Sequence, residues 1–599
     1  MKNNRLRDSF YQVIKKFQPL LEKILFPLLL LIFPFLSVKQ GLDVSDTLYS
    51  LGNYTFFDQM DPNWKLSIFI PSVVGHIITC LPGAGTVIGM KVYTTLIISL
   101  MALVVYYSLK TVIPGWMLFI GEWIAESVCW CPSIILYNYL TYFFMTLGIL
   151  MLLAAIMKLE GAGQKRRLFV AGLFFGINVA VRLPNVLEAG FILVLWYADY
   201  LEKKKFKKAL EETLTCIAGY VTGAGVCILC AVAMYGINAY GSMLGWLFGI
   251  ANDSESTHGA SSTLEVTLEA YGHTLAVMAI MIPCIVAGVI LFSLKFQKVW
   301  MIRLAKLAYL AGILVLVRYY FGQGVFTTNY YYYDSMFQAA MMFIIMSIIL
   351  DLLDIISGFM DRLGYEPVMP GTNGERIFAM VSILIVLITP LGSDNYTFPL
   401  VNNLILIAPI TLTQLRRVFR RSRGGVVHFP WKSMALMVVA VLFIQGTLFK
   451  KGYSFVDGMD GTRRDTVVSS QLSRAQGLVT TSDNASSLVN MYNALSDNGL
   501  LEYKLLQFGN APGLSYLYDM EPAIYTTWPN LASNKVEDFD SAMLNMTDYP
   551  VIVTDSSILS DSFAAKDKLD ILLDYIASND YNIIFEDGKY VVYAPSQYQ

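Results

Sequence analysis

Long apolar segments, separated by short polar stretches, run through the first three quarters of the chain. The first occupies residues 24–36, and segments of similar character recur as far as residue 450. A transmembrane helix needs about 20 predominantly apolar residues. The pattern therefore predicts a polytopic, all-α membrane domain over residues 1–450, with about 13 transmembrane helices. The less apolar segment at residues 66–81 is typical of a re-entrant or interfacial helix.

The pattern changes after residue 450, where polar residues interrupt every apolar run. Short β-prone runs at residues 477–481, 503–508 and 551–554 alternate with helical stretches such as residues 568–577. The pair Asp587-Gly588 lies between two β-prone runs, which is typical of a hairpin. Residues 451–599 are therefore predicted to form an α/β domain of about 150 residues. This domain has no glycine-rich phosphate loop or metal-ligand motif, so we expect no separate catalytic site in it.

The positive charges predict how the chain is oriented. Basic residues cluster at the amino terminus and in short loops between the apolar segments, at residues 158–167, 203–208, 295–306 and 416–423. Short basic loops favour the cytoplasmic side of a membrane. The amino terminus is therefore predicted to be cytoplasmic and the α/β domain extracytoplasmic.

Composition agrees with this class and excludes others. The chain has 599 residues, of which 55% are hydrophobic and 15% charged, and its mean hydropathy is +0.53. These values are too apolar for a soluble multidomain protein, so we predict a multi-pass protein of the cell membrane. The net charge of −2 gives no support for nucleic-acid binding. The seven cysteines lie in or beside apolar segments, so no disulfide framework is predicted.

Two carboxylates follow the first apolar segment closely. Asp43 and Asp46 lie where the first predicted span meets water. A carboxylate at this depth can stay ionised while facing a cavity between helices, which suits a general base that meets a lipid-borne donor and a water-soluble acceptor. The alternative is that both residues only end the span as solvated polar groups.

Four ionisable residues are predicted to lie within or at the ends of spans. Glu122 and Glu126 are four residues apart and so share one helical face, while Arg182 and Arg318 fall near outer ends of spans. A charge at the bilayer centre costs roughly 2.5–3.5 kcal/mol, so such residues usually face a partner or a cavity. Glutamate–arginine pairing and ligand contact are both compatible with this pattern. The fork-shaped guanidinium suits a phosphate, which makes both arginines phosphate candidates.

Two outer loops add candidate substrate contacts. Tyr331 belongs to an aromatic run at residues 329–334, which is more typical of an interfacial belt than of a sugar-stacking surface. Asp394 lies in the short loop at residues 392–398. The pattern requires no cofactor and is compatible with a divalent cation.

Three motifs lie near the outer ends of the early spans. They are Gly41-Leu42-Asp43; Cys129-Trp130-Cys131-Pro132, followed by residues 136–140; and residues 171–176, which lead to Arg182-Leu183-Pro184-Asn185. Together they resemble the GT-C superfamily of polytopic glycosyltransferases and their bacterial relatives of unassigned substrate. The resemblance implies a polyprenyl-phosphate-linked sugar donor and an essential carboxylate in the first outer loop. The adjacent acidic residues common in that loop are absent here, so both Asp43 and Asp46 stay candidates.

The resemblance implies a membrane glycosyltransferase of the hexosyltransferase type, with a glycan or lipid of the cell envelope as acceptor. In this scheme Asp43 is the base and Arg182 or Arg318 holds the donor phosphate. A single displacement would invert the anomeric centre. A transporter or flippase for lipid-linked glycans, or a catalytically inactive scaffold, is the alternative.

Overall fold

A computed structural model describes most of the chain. It covers residues 17–158, 162–252, 260–293, 298–332, 334–391, 393, 395, 397–421, 431–453 and 455–598. Helices make up almost all of the regular structure before residue 453, and strands appear only after residue 465 in these ranges.

The membrane region contains nineteen α-helices within the described ranges. They are α1 (Phe26–Ile32), α2 (Asp46–Thr55), α3 (Pro62–Ser67), α4 (Phe69–Thr79), α5 (Val87–Leu109), α6 (Gly115–Ser127), α7 (Leu136–Lys158), α8 (Ala162–Val179), α9 (Ile192–Leu201), α10 (Phe206–Tyr235), α11 (Ile237–Asn252), α12 (Ala260–Ala279), α13 (Met281–Ser293), α14 (Val299–Gly322), α15 (Phe337–Arg362), α16 (Asn373–Ile388), α17 (Phe398–Asn402), α18 (Ile407–Arg421) and α19 (Trp431–Gly452).

Eight helices in the described ranges are long and apolar enough to cross a membrane. They are Phe17–Ser37, Val87–Leu109, Leu136–Met157, Phe206–Tyr235, Leu264–Gly288, Val299–Gly322, Phe337–Arg362 and Ala435–Gly452. The chain is therefore a multi-pass membrane protein, as its composition predicts, whereas the number of 13 spans stays a prediction. The predicted helix at residues 66–81 is divided at Ile68 into α3 and α4, because the backbone there leaves the helical region (φ −127°, ψ 52°).

Local signals in the sequence fix several helix starts. The Thr86 hydroxyl accepts the Gly89 backbone N–H at 3.1 Å and so caps α5. Thr372 and Glu375 form a reciprocal capping box at the start of α16. Such caps satisfy backbone groups that have no partner inside the helix.

The carboxyl-terminal region is an α/β structure. It comprises β1 (Thr466–Val467), β2 (Val479–Thr480), α20 (Ser482–Asp497), β3 (Leu505–Phe508), α21 (Leu514–Tyr518), α22 (Val536–Leu544), β4 (Val551–Asp555), α23 (Lys566–Ser578), β5 (Tyr581–Glu586) and β6 (Tyr590–Pro595). The main sheet has the order β3-β4-β6-β5, with β3 and β4 parallel and the other pairs antiparallel. The predicted β-hairpin is present, and Gly588 adopts a positive φ of 81° in its turn.

The first outer loop pairs with the carboxyl-terminal region through its backbone. Gly41 N–H donates to the carbonyl of Val479 at 2.8 Å, and Val479 N–H donates to the carbonyl of Lys39 at 2.8 Å. Farther along, Gly513 N–H donates to the carbonyl of Val44 at 2.8 Å. These bonds fix residues 39–44, which include one of the two candidate carboxylates.

Candidate functional site

A cleft lies where the end of the first span meets α5, the irregular segment after α6 and the end of α19. It encloses about 610 Å³, part of which is open to solvent. Its walls combine charged side chains with aromatic ones, and they include Asp43, Lys91, Cys129, Trp130, Lys450 and Tyr453.

Asp43 is almost fully buried in this cleft, with 4% of its surface exposed. Its Oδ1 atom accepts the Ser45 backbone N–H at 2.9 Å and the Ser45 hydroxyl at 2.5 Å, and Oδ2 accepts the Thr47 N–H at 2.7 Å. The Thr47 side chain also hydrogen-bonds to this carboxylate, so Asp43 is held by several donors from Ser45 and Thr47. Burial raises the pKa of Asp43 above its usual value, and the bonds from Ser45 and Thr47 offset part of that rise.

Two lysines supply positive charge to the same cleft. Lys91 Nζ donates to the backbone carbonyls of Gln40 at 2.7 Å and Gly41 at 3.1 Å. Lys450 Nζ donates to the carbonyl of Cys129 at 3.4 Å. Neither lysine forms an ion pair within the described part of the chain, and the two ammonium groups are close enough to repel each other. Lys91 also feels the charges of Asp457 and Asp43, and Lys450 feels that of Glu126. The lysines thus keep donor capacity that an anionic ligand can use.

The segment that holds Lys450 in place is itself fixed by a buried asparagine. The Asn402 side chain, on α17, accepts the Trp130 backbone N–H at 2.9 Å, and the Trp130 indole N–H donates to the carbonyl of Phe398 at 3.1 Å. These bonds hold the chain just after Cys129, whose carbonyl accepts Lys450. A helix distant in sequence thus orients one wall of the cleft.

Asp46 does not belong to the cleft wall. It begins α2 and is partly exposed, and the spacing of three residues puts it on the same helical face as Tyr49. Asp43 and Thr47 instead face the cleft together. Asp43 and Asp46 therefore lie on different sides of the first outer loop.

The two candidate arginines lie outside the cleft wall. Arg182 donates through Nη2 to the carbonyl of Leu391 at 3.4 Å, and Arg318 is exposed on α14. Neither arginine is among the residues that line the cleft with Asp43.

Glu122 and Glu126 are fully buried on α6. Within the described ranges their carboxylate oxygens have no hydrogen-bond partner, and neither residue pairs with Arg182 or Arg318. Glu126 is near enough to Lys450 to attract it electrostatically. Both glutamates thus lie behind the cleft wall and do not line it.

The last two sequence candidates lie elsewhere. The carbonyl of Tyr331 accepts Arg464 Nη1 at 2.9 Å, and its ring centroid lies 5.8 Å from the Arg464 guanidinium carbon. Tyr331 therefore contacts the carboxyl-terminal region instead of the cleft. Asp394 lies outside the described residues.

Sequence reasoning missed both cleft lysines. Lys91 is the sole charged residue of α5, a signal visible in the sequence, since an isolated charge in a span usually faces a partner or a cavity. Lys450 lies beside Lys451 at the end of an apolar segment. A basic pair at this position is equally typical of a simple span boundary, so the sequence does not distinguish Lys450 as a cleft residue.

Solved structures similar to this chain include ArnT and an archaeal oligosaccharyltransferase. ArnT from Cupriavidus metallidurans, solved bound to undecaprenyl phosphate, aligns over 95% of this chain and 97% of its own, at 10% identity and a TM-score of 0.48. The Archaeoglobus fulgidus oligosaccharyltransferase, solved with Zn and sulfate, aligns over 95% of this chain and 73% of its own, at 12% identity and a TM-score of 0.45. No family model and no curated protein sequence matches the chain.

The architecture predicted from the sequence is confirmed. A helical membrane region with several spans is followed by a carboxyl-terminal region built around a four-stranded sheet. Because the TM-scores are below 0.5, we take no fold family, residue role, donor or acceptor from this likeness.

Proposed function

We propose that this chain is a membrane glycosyltransferase that moves a sugar from a polyprenyl-phosphate donor to an acceptor outside the cytoplasm. The observation that carries the proposal is the cleft, where the buried carboxylate of Asp43 lies with two lysines that form no ion pair within the described residues. The donor class follows from the sequence motifs that resemble the GT-C superfamily.

The chemistry assigns one role to each charge. The acceptor hydroxyl attacks the anomeric carbon, the bond from that carbon to the phosphate oxygen breaks, and the hydroxyl proton passes to the Asp43 carboxylate. The departing phosphate keeps the bonding electron pair, and Lys91 and Lys450 stabilise its charge. One displacement of this kind inverts the anomeric centre.

The lysines support the phosphate role better than Arg182 or Arg318 does, because both lysines line the cleft with Asp43. Lys91 uses two of its three ammonium protons on backbone carbonyls, which leaves one for a phosphate oxygen. Both lysines therefore remain able to bind a phosphate without breaking an ion pair. A divalent cation is compatible with this site, and its contribution is measured by adding EDTA to the assay below.

The experiment uses purified protein in lipid nanodiscs with a panel of undecaprenyl-phosphate-linked sugars and a cell-envelope extract as the acceptor pool. We expect one donor to be consumed with release of undecaprenyl phosphate, and we expect Asp43→Asn to stop this consumption. Arg318→Gln, which changes an exposed charge outside the cleft, is the matched control and should consume donor normally.

If the wild type consumes no donor of the panel, the glycosyltransferase proposal fails. Movement of the same lipids between leaflets in proteoliposomes would then favour the transporter or flippase, and its absence would favour the scaffold.

A further inference from the structure

A buried carboxylate of the carboxyl-terminal region contacts the residue just before Asp43. Asp457 lies between α19 and β1 and has no exposed surface. Its carboxylate accepts the Leu42 backbone N–H, the Thr480 hydroxyl and, at 2.9 Å, the Asn484 side-chain amide. A buried carboxylate is unfavourable unless several donors compensate it, so Asp457 keeps these three groups in one arrangement.

Asn484, near the start of α20, binds the other backbone group of Leu42. Its side-chain N–H donates to the Leu42 carbonyl at 3.1 Å, and its Oδ1 atom accepts Lys589 Nζ at 2.7 Å. A lysine can only donate and a carbonyl can only accept, so these two contacts determine which way the amide faces. Side chains of the carboxyl-terminal region therefore bind Leu42 at both its N–H and its carbonyl.

The contacts to Leu42 also restrict Asp43. The Leu42 carbonyl belongs to the planar peptide group that contains the backbone nitrogen and the Cα atom of Asp43. On the other side, the Asp43 carbonyl accepts the Leu48 backbone N–H at 3.3 Å, which joins it to α2. The backbone of Asp43 is thus held from two directions, by the carboxyl-terminal region and by α2.

We propose that Asp457 and Asn484 are positioning residues that keep the Asp43 carboxylate in the direction needed to take the acceptor proton. The assignment rests on the proposed glycosyltransferase function and gives the carboxyl-terminal region a part in the reaction, although neither side chain lines the cleft. A catalytic group displaced by about 1 Å can lower a rate about 100-fold. Hydrogen bonds to Leu42 can therefore affect turnover without any contact to the substrate.

The first measurement is hydrogen exchange of the backbone amides of residues 42–48, which requires no activity. Asn484→Ser shortens the side chain so that it no longer reaches the Leu42 carbonyl, and it leaves the charge of the region unchanged. We expect exchange in this segment to become about tenfold faster. Leu572→Ala is the matched control, because it loosens a separate hydrophobic cluster of the carboxyl-terminal region and should leave residues 42–48 protected.

The second measurement is donor turnover per bound undecaprenyl phosphate, which counts only folded protein. Asn484→Ser should lower this turnover number about 10- to 100-fold and keep the affinity for undecaprenyl phosphate within about twofold of the wild type. Leu572→Ala should change neither value. Asp457→Asn guards against a folding defect in Asn484→Ser: it keeps the shape of the side chain but turns an N–H group toward its donors, so it should lower turnover in the same way.

The outcomes separate this assignment from the proposed function. If the wild type consumes donor and both variants do so equally fast, the positioning role is overturned, whatever their exchange rates. Lower turnover without faster exchange of residues 42–48 also overturns it, because the effect would then not pass through Leu42. A wild type that consumes no donor overturns the proposed function itself, and the positioning role with it.

Discussion

Two polar clusters in the membrane region balance their charges in different ways. Between α15, α16 and α18, Arg376 pairs with Asp361 at 2.6 Å, and Arg417 pairs with Asp354 and, at 3.1 Å, with Glu375. In the cleft, Lys91 and Lys450 donate only to backbone carbonyls among the described residues.

The difference separates charges that hold helices together from charges that can bind a ligand. A buried ion pair is satisfied by the protein itself, and removing one partner leaves the other without compensation. A lysine that donates only to neutral backbone carbonyls can exchange one of these acceptors for a phosphate oxygen without breaking an ion pair. We therefore expect changes in the first cluster to affect folding and changes in the cleft to affect ligand binding.

The largest expected effect comes from the carboxylate of the cleft. Asp43→Asn should lower the turnover number about 10²–10⁴-fold, because an amide cannot take the acceptor proton. The Asn amide group also points an N–H at a donor whose hydrogen bond Asp43 now accepts, so thermal unfolding should be followed in parallel. Asp46→Asn is the comparison variant and should retain more activity. If Asp46→Asn abolishes turnover while Asp43→Asn retains it, Asp46 is the base and Asp43 is not.

Breaking the paired cluster should affect stability instead. Arg417→Gln leaves Asp354, which has no exposed surface, without its charged partner, and this should destabilise the protein by about 3–5 kcal/mol. Chemical unfolding in detergent measures the loss. The folded fraction should still bind undecaprenyl phosphate with wild-type affinity, and a parallel loss of affinity would contradict the separation of the two clusters.

The pH dependence should report the burial of Asp43. Because burial raises its pKa above 3.8, the carboxylate gains its proton at a higher pH than an exposed aspartate does. A base works only when deprotonated, so the turnover number should fall on the acid side through that raised pKa. A turnover number that is independent of pH down to the usual aspartate range would exclude Asp43 as the base.

The smallest perturbation tests on which side the cleft opens. Ser482 is exposed in the carboxyl-terminal region beside the first outer loop, and Glu202 is exposed next to a basic loop. We expect an impermeant maleimide to label Ser482→Cys in intact cells and Glu202→Cys only after lysis. The opposite pattern would invert the predicted topology.

The sequence predicts the elements of this fold better than it predicts the cleft. The predicted strands at residues 503–508 and 551–554 correspond to β3 and β4, and the Asp587-Gly588 hairpin joins β5 to β6. These signals are local, since they depend on alternation and turn chemistry within a few residues.

The cleft depends on contacts that no local pattern contains. It brings together Asp43, Lys91, Cys129 and Lys450, which come from four distant parts of the chain. Of these residues, the sequence analysis singled out Asp43 alone, from its position at the end of a span. Arg182 is also close to a span end, yet its guanidinium meets the carbonyl of Leu391, because the packing of α8 against its neighbours decides the direction in which that end faces.

The most direct test measures how undecaprenyl phosphate binds to the two cleft lysines. Wild-type protein, the double variant Lys91→Gln/Lys450→Gln and the control Arg318→Gln are titrated with the lipid in nanodiscs. Removal of two charge-assisted hydrogen bonds should weaken binding by about 3 kcal/mol or more, at least 100-fold, while the control binds as the wild type does. Equal affinities for the double variant and the wild type would contradict the assignment of the cleft as the phosphate site.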